Sequence, residues 1–379
     1  MSRIRLGPED FPVGRQLPWP VYDRRGVMML REGSIIASER QRDTLLMRGA
    51  YRDTDAALAR AARRTASRVQ SPDKRAGPDN PLEHLYPCFS RLHMAFHKIE
   101  AGESDGLDGL MKLAGHLDRL YAQFPDAMVG AVHLVHEYDY VLCHPVHCAI
   151  LCRLMADDLG FESAHRHSLL AAALAQNLGM FRLQERLQRQ TSPLTEEQKA
   201  ELRRHPERSA LMLEEVGCRD QLCLRAIRQH HERIDGGGYP AGLKGEEVSV
   251  EAQLVSLSDR YGAMISARAY REALQPREVL REFYAGAGGE TDTELVQRMI
   301  ARLGVYPPGS FVRLSNGEEA VVIQRGPKSH LPVVGVYIEA DGTPLRRART
   351  RHCDEDVAVE AVVRPNARIA MELGELWNR

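Results

Sequence analysis

The chain has 379 residues, 51 Lys+Arg against 52 Asp+Glu and 43% hydrophobic residues, enough for two or three domains with a sizeable core. A net charge of −1 offers nothing that calls for nucleic acid or an anionic membrane surface, and no apolar run approaches the ~20 residues that span a bilayer. The start, Met1-Ser2-Arg3-Ile4-Arg5, has no apolar segment behind it and does not read as a signal peptide. The seven cysteines form no CxxC pair and read as reduced thiols, so a cytoplasmic location is expected.

In chain order, residues 1–55 read as a small N-terminal α/β module of adaptor or sensory type. Two β-like runs flank the Asp23-Arg24-Arg25-Gly26 turn, and Ser38-Glu39-Arg40-Gln41 opens a short helix to Arg48, with Gly49 as its C-cap. Residues 56–81 turn Ala- and Arg-rich, then mix Pro, Gly and charge, and read as a linker. Over 82–304 apolar residues recur at helical spacing. The run Leu169-Leu170-Ala171-Ala172-Ala173-Leu174-Ala175 is apolar all round and belongs inside a bundle. Thr195 with Glu196 and Glu197 opens another helix, and 250–271 reads as a third long one. After Pro307-Pro308-Gly309 the period becomes two. Residues 310–314, 320–324 and 333–338 read as strands, with Asn316-Gly317 as a hairpin turn, so 305–379 is expected to form a small β module of barrel type. The fold class is mainly α, a helical bundle between two small modules.

Thirteen of fifteen histidines fall between His84 and His231, which places the chemistry in the middle of the chain. The densest stretch is His230-His231-Glu232-Arg233-Ile234-Asp235-Gly236-Gly237-Gly238-Tyr239-Pro240. Imidazole is the commonest protein metal ligand. Three glycines let the backbone adopt positive φ and approach a ligand, and Pro240 fixes the loop exit. Imidazoles beside a phosphate-sized turn point to metal-dependent phosphate chemistry.

This stretch resembles the HHExxDGxGYP signature of the HD-GYP family of bacterial cyclic-di-GMP phosphodiesterases. The likeness continues through Ala241-Gly242-Leu243-Lys244-Gly245-Glu246-Glu247-Val248-Ser249, Ser258-Asp259-Arg260-Tyr261 and Arg268-Ala269-Tyr270-Arg271, and covers about 136–310. It implies an HD-type bundle with metal ligands at His144, four residues after Tyr140, at His205 in His205-Pro206-Glu207, at His230 and His231, and at Asp259. It also implies dinucleotide contacts from Gly236, Gly237, Gly238, Tyr239, Pro240, Arg268 and Arg271, with Arg271 the better candidate of the two arginines.

The departure lies at Gln176-Asn177-Leu178-Gly179-Met180. The family pattern has His-Asp there, followed by a glycine and a lysine. A neutral carboxamide is a poor bridge between transition metals, and a Gln amide replaces an imidazole that binds them well. Met180 lacks a cation that would stabilise phosphate charge. His205, His230 and His231 remain enough for one divalent ion (Fe, Mn or Zn), and a second tightly held ion is not expected. Glu137, His147 and Cys148 lie near His144 at helical spacing, which more often reflects packing than ligation. The resemblance therefore implies a degenerate member of cyclic-di-GMP signalling that binds the dinucleotide, a GGDEF-type protein, or both, with weak or no hydrolysis. An active phosphodiesterase with an unusual ligand set is the alternative. A relative of the metal-free HDOD signalling domains fits less well, because the GYP tail is intact.

Overall fold

A computed structural model describes residues 3–7, 10, 11, 17, 21, 22, 28–30, 42, 51–53, 80–136, 138–187, 190, 192–266, 273–286, 289–364 and 373–377. Contacts divide the chain into two compact units, Met1–Gly77 and Pro78–Arg379. In the first, β1 (Arg3–Arg5), β2 (Val21–Tyr22), β3 (Met28–Leu30) and β4 (Tyr51–Asp53) form an antiparallel sheet in the order β1-β4-β2-β3. The hairpin expected around Asp23 is thus the β2–β3 pair. The helix expected over 38–48, apart from Arg42, and the linker residues 56–79 lie outside the described residues.

In the second unit the helices are α1 (Pro81–Glu100), α2 (Ser104–Gln123), α3 (Pro125–Leu134), α4 (Tyr140–Asp158), α5 (Ser163–Ala175), α6 (Phe181–Leu187), α7 (Glu196–Glu215), α8 (Gln221–Gln229), α9 (Val250–Ile265), α10 (Pro276–Ala285) and α11 (Thr293–Leu303). Their starts are set by side chains that satisfy free N–H groups. Asn80 accepts from Leu82, Asp220 from Leu222 and Cys223, and Ser249 from Ala252. Thr195 and Gln198 complete a capping box at α7, a device in which the N-cap side chain alone contributes roughly 1 kcal/mol. Helices apolar on every side go inside. Residues 169–175 of α5 are all buried, and so is α4 from Val141 to Ala156. These two interior helices, with α7, α8 and α9 around them, carry the site. The stretch expected to stay helical to Arg271 leaves helical backbone at Ser266 (φ −100°, ψ 129°), and residues 267–272 lie outside the described residues.

After α11 comes a five-stranded antiparallel sheet of β5 (Phe311–Leu314), β6 (Glu319–Gln324), β7 (Val333–Ile338), β8 (Pro344–His352) and β9 (Val359–Val362), in the order β8-β7-β6-β5-β9. Among the described residues β8 and β9 do not pair, so the expected barrel is instead an open sheet. Gly317 takes φ +89° in the Asn316-Gly317 turn, the conformation for which glycine is favoured. One face of the sheet packs Phe311, Val321, Ile323 and Tyr337 with Leu134 and Trp377. Trp377 donates to the Ile323 carbonyl at 2.7 Å and lies where a Cβ on Gly130 of α3 would come within 2.5 Å of it.

His133, on α3, ties this sheet's entry to the bundle. Its Nδ1 lies 2.7 Å from the Pro308 carbonyl and its Nε2 2.8 Å from the Tyr261 hydroxyl. A neutral ring meets both, with Nδ1–H donating to the carbonyl and Nε2 accepting from the phenol. Burial, reinforced by His136, pushes its pKa down from 6.5 to about 4. The folded state therefore binds fewer protons than the unfolded chain between those values, and stability is lost as pH falls from about 6.5 towards 4. The loss through this residue is up to roughly 3 kcal/mol. Melting temperature measured against pH should fall through this window, and His133→Gln should flatten the fall. An unchanged acid limb in the variant would assign the loss elsewhere.

Candidate metal centre and GYP loop

α4 places His144 and Cys148 one turn apart. The Tyr140 ring stacks on His144 with centroids 4.8 Å apart. Across the interface α9 brings Asp259, whose Oδ1 lies 2.7 Å from His144 Nε2. Gly262 of the same helix makes room for the ring, since a Cβ there would sit 3.2 Å from His144 Nδ1. Burial alone would raise the Asp259 carboxyl. The hydrogen bond to His144 and the surrounding imidazoles outweigh it and hold the group well below the ordinary carboxylate range, so Asp259 is an anion at neutral pH.

The second group is built from α7 and the end of α8. His205, His230 and His231 each present a ring nitrogen within 4.8 Å of the others. His205 Nδ1 lies 2.5 Å from the Leu202 carbonyl, and His230 Nδ1 2.6 Å from the Ile227 carbonyl. Carbonyl oxygens only accept, so both Nδ1 atoms carry the proton and both Nε2 atoms present lone pairs. Those two Nε2 atoms face each other at 3.0 Å. Two acceptors at that distance repel unless a cation takes both, and fixing the tautomer through the remote nitrogen is how proteins prepare histidine ligands. Burial first, then the neighbouring imidazoles, hold all three pKa values at about 3. At neutral pH the rings are neutral and ready to ligate. The donor chemistry fits one divalent transition ion.

Asp259 acts on His205, His230 and His231 as well as bonding His144, so the five expected ligands converge in one region. Gln176 and Asn177 follow α5, and Gln176 lies beside Cys148. Ser209, one turn beyond His205, donates to the Gln176 carbonyl and accepts from Gly179 N–H, both at 2.8 Å. Gly179 has no room for a side chain, because a Cβ would lie 2.8 Å from the His205 carbonyl. The turn is thus clamped against the helix that carries His205. Gln176 is 0% exposed and Asn177 2%, and among the described residues neither side-chain oxygen nor nitrogen of either finds a hydrogen-bond partner. Each such orphan ordinarily costs about 1–3 kcal/mol. Met180 is buried beside them.

The glycine loop is organised by a residue that sequence reasoning left without a role. Glu232, 3% exposed, accepts from the backbone N–H groups of Ala241, Gly242 and Leu243. Its place directly after His230-His231 was the available signal. Gly236 has φ +80° and crosses so close to Lys244 that a Cβ would lie 2.3 Å from its side chain. Gly238 approaches the backbone of 232–233 just as closely. Gly236 N–H donates to the Arg233 carbonyl and Gly237 N–H to Asp235 Oδ1. The N–H groups of these two glycines are thus engaged inside the loop. Tyr239 stacks on His231 with centroids 4.7 Å apart, and burial followed by Asp259 pushes its phenol pKa up. The exposed Arg203 acts on the same phenol and is a rim cation that the spacing did not reveal. Arg268, Arg271 and Glu137 lie outside the described residues. His147 packs against His136 and joins neither ligand group, whereas Cys148 falls within ligand range of His144 and Asp259.

Residues 132–295 match the family model described as HD domain. The chain is 26% identical over 311 residues to the cyclic di-GMP phosphodiesterase PA4108 of Pseudomonas aeruginosa, covering 80% of this chain and 73% of that protein. It is 23% identical over 238 residues to the cyclic di-GMP phosphodiesterase PdeB of Borreliella burgdorferi, covering 62% and 61%. It is 32% identical over 151 residues to the response regulator RpfG of Xanthomonas campestris pv. campestris, covering only 39% of each chain. In fold it is similar to Bd1817, an HDGYP protein from Bdellovibrio bacteriovorus, with TM-score 0.55 and 19% identity over 80% of this chain and 99% of that one. No helix among the described residues is long and apolar enough to cross a membrane. With the His-His-Glu and Gly-Tyr-Pro elements on one loop, an HD-domain match over 132–295 and these relatives, the chain is similar to the HD-GYP proteins.

Proposed function

We propose that this protein works in cyclic-di-GMP signalling as a cytoplasmic binding or interaction module with weak or no phosphodiesterase activity. His205, His230 and His231 hold one divalent ion, and such an ion supplies a Lewis acid and a water of lowered pKa. The observation that carries the reading is the buried Gln176–Asn177 pair, neutral and unpaired where the family pattern has an imidazole and a bridging carboxylate. Cyclic-di-GMP as ligand is supported by the names of the relatives PA4108 and PdeB. Because the N–H groups of Gly236 and Gly237 are engaged within the loop, phosphate recognition falls to side-chain cations, with Arg271, Arg203 and Arg268 as the candidates. Gly238, Tyr239 and Pro240 shape the mouth. The loop's exposed side, including Asp235, Gly237 and Ala241, suits contact with a GGDEF-type partner.

The second reading, an active phosphodiesterase, is favoured by the retained convergence of His144, His205, His230, His231 and Asp259. Titration calorimetry with cyclic-di-GMP tests the binding claim. Saturable binding that weakens in Arg271→Ala is expected, and no heat at all would remove the dinucleotide from the proposal.

A further inference from the structure

We propose that Cys218 and Cys223 are a redox-active thiol pair, a modification site at which a low-molecular-weight disulfide forms an internal disulfide that locks the turn between α7 and α8. The proposal is independent of what the protein does with cyclic-di-GMP.

The turn is built to hold the two sulfurs together. α7 ends at Gly217, whose φ is +101°, and the Cys218 N–H closes on the Leu213 carbonyl at 2.9 Å. Asp220 then caps α8, accepting from the N–H groups of Leu222 and Cys223 at 3.1 Å each. Ser168 of α5 donates to the other carboxylate oxygen of Asp220 at 2.5 Å. Arg219 donates to the Glu214 and Cys218 carbonyls at 3.1 and 3.0 Å. Cys218 therefore stands two residues before the cap and Cys223 in the first turn after it. A hydrophobic staple bridges the same five-residue span across a helix start; here the span brings sulfur to sulfur. The Cys223 thiol donates to Cys218 Sγ, and the Asp220 N–H donates to the same sulfur.

These contacts give the two thiols different roles. The hydrogen bond from Cys223 brings the Cys218 pKa down from 9.0 to about 7, helped by the Asp220 N–H and opposed by burial and by the carboxylates of Asp220 and Glu214. A thiol with a pKa near the ambient pH attacks disulfides best. Cys223 keeps its proton well above the ordinary range, because it donates to Cys218 and is buried. Burial pushes Cys88 and Cys152 up to about 12, which leaves them inert. Cys218 is 3% exposed and lies between the exposed residues Gly217 and Arg219, so an oxidant reaches it by local opening of the turn.

In the first step the Cys218 thiolate attacks one sulfur of the small disulfide, whose S–S bond breaks, and the leaving thiolate takes a proton from solvent. The mixed disulfide removes the acceptor that held the Cys223 proton. Cys223 then loses that proton to solvent and attacks Cys218 Sγ, expelling the second small thiol. Two protein thiols have given up two electrons and two protons, and the oxidant has become two thiols. The bond pins the start of the helix that leads at its other end to His230 and His231.

Peptide mapping of the full chain after incubation with oxidised glutathione needs no substitution. Trypsin cuts after Arg219, between the two cysteines, so the disulfide appears as peptides 209–219 and 220–225 joined by one reducible bond. Cys223→Ser should stop at glutathione on Cys218, and Cys218→Ser should leave Cys223 unmodified. At pH 7 iodoacetamide should label Cys218 in the native chain at least ~10-fold faster than Cys88 or Cys152, as its larger thiolate fraction requires. Native protein in which both peptides stay unlinked, or in which another cysteine reacts first, overturns the proposal.

Discussion

Restoring the missing groups together, as Gln176→His, Asn177→Asp and Met180→Lys, should raise hydrolysis of cyclic-di-GMP by at least ~100-fold over the parent, a modest share of what metal ions and preorganised charge can supply. The geometry favours a graft at this turn. Its backbone is held by Ser209 on the Gln176 carbonyl and Gly179 N–H, which the three substitutions leave alone. The Gln176 and Asn177 side chains already occupy buried positions, and Gln176 lies beside Cys148. Exchanges that approximately conserve volume are tolerated best in packed interiors. Each single change should do little, because groups that act as a unit contribute non-additively. Rates of product release for the parent, the singles and the triple variant, with metal content measured in parallel, check this. A large gain from one single change would contradict the cooperative account.

His231→Ala should weaken binding of the ion held by the three histidines by more than ~100-fold, beyond the 10–100-fold that loss of an outer partner typically brings. His230 and His205 would remain, each fixed by its Nδ1 to a carbonyl, but two imidazoles do not make a closed or catalytic set. The loss should also appear as stability. An ion at 100 times its Kd stabilises the folded state by about 2.7 kcal/mol, so added metal should raise the melting temperature of the parent and not that of the variant. Equal metal-dependent shifts in both proteins would place the ion elsewhere.

Much of this was legible in the chain. Helix α5 announced itself through an all-apolar run, and α7 through its Thr195 cap. The cluster of His205, His230 and His231 was marked by His230-His231 and by the Gly-Tyr-Pro segment after them. What escaped did so for physical reasons. Strand β8 carries Arg346, Arg347, Arg349 and Arg351, so it shows no period-two apolar pattern. It is an edge strand, where charge is admissible and keeps the edge from pairing with another chain. Arg349 and Arg351 find Glu318 across the sheet, a pairing set by register and not by sequence proximity. Glu232 as the clamp of the glycine loop depends on three N–H groups nine to eleven residues away converging on one carboxylate. Cys148 looked like packing on an apolar helix, and only the approach of α9, permitted by Gly262, brings it towards Asp259.

The central claim is that this site binds the dinucleotide without turning it over at an enzymatic rate. The most direct measurement follows cyclic-di-GMP and its linear and mononucleotide products over time with the unmodified full chain, supplied in turn with Mn, Fe, Zn and Mg, beside the triple variant. The account predicts saturable binding with product formation at least ~100-fold slower than in the variant, the factor set by the restored metal and charge stabilisation. Turnover by the unmodified protein at the variant's rate would contradict it and make this chain a phosphodiesterase with an unusual ligand set.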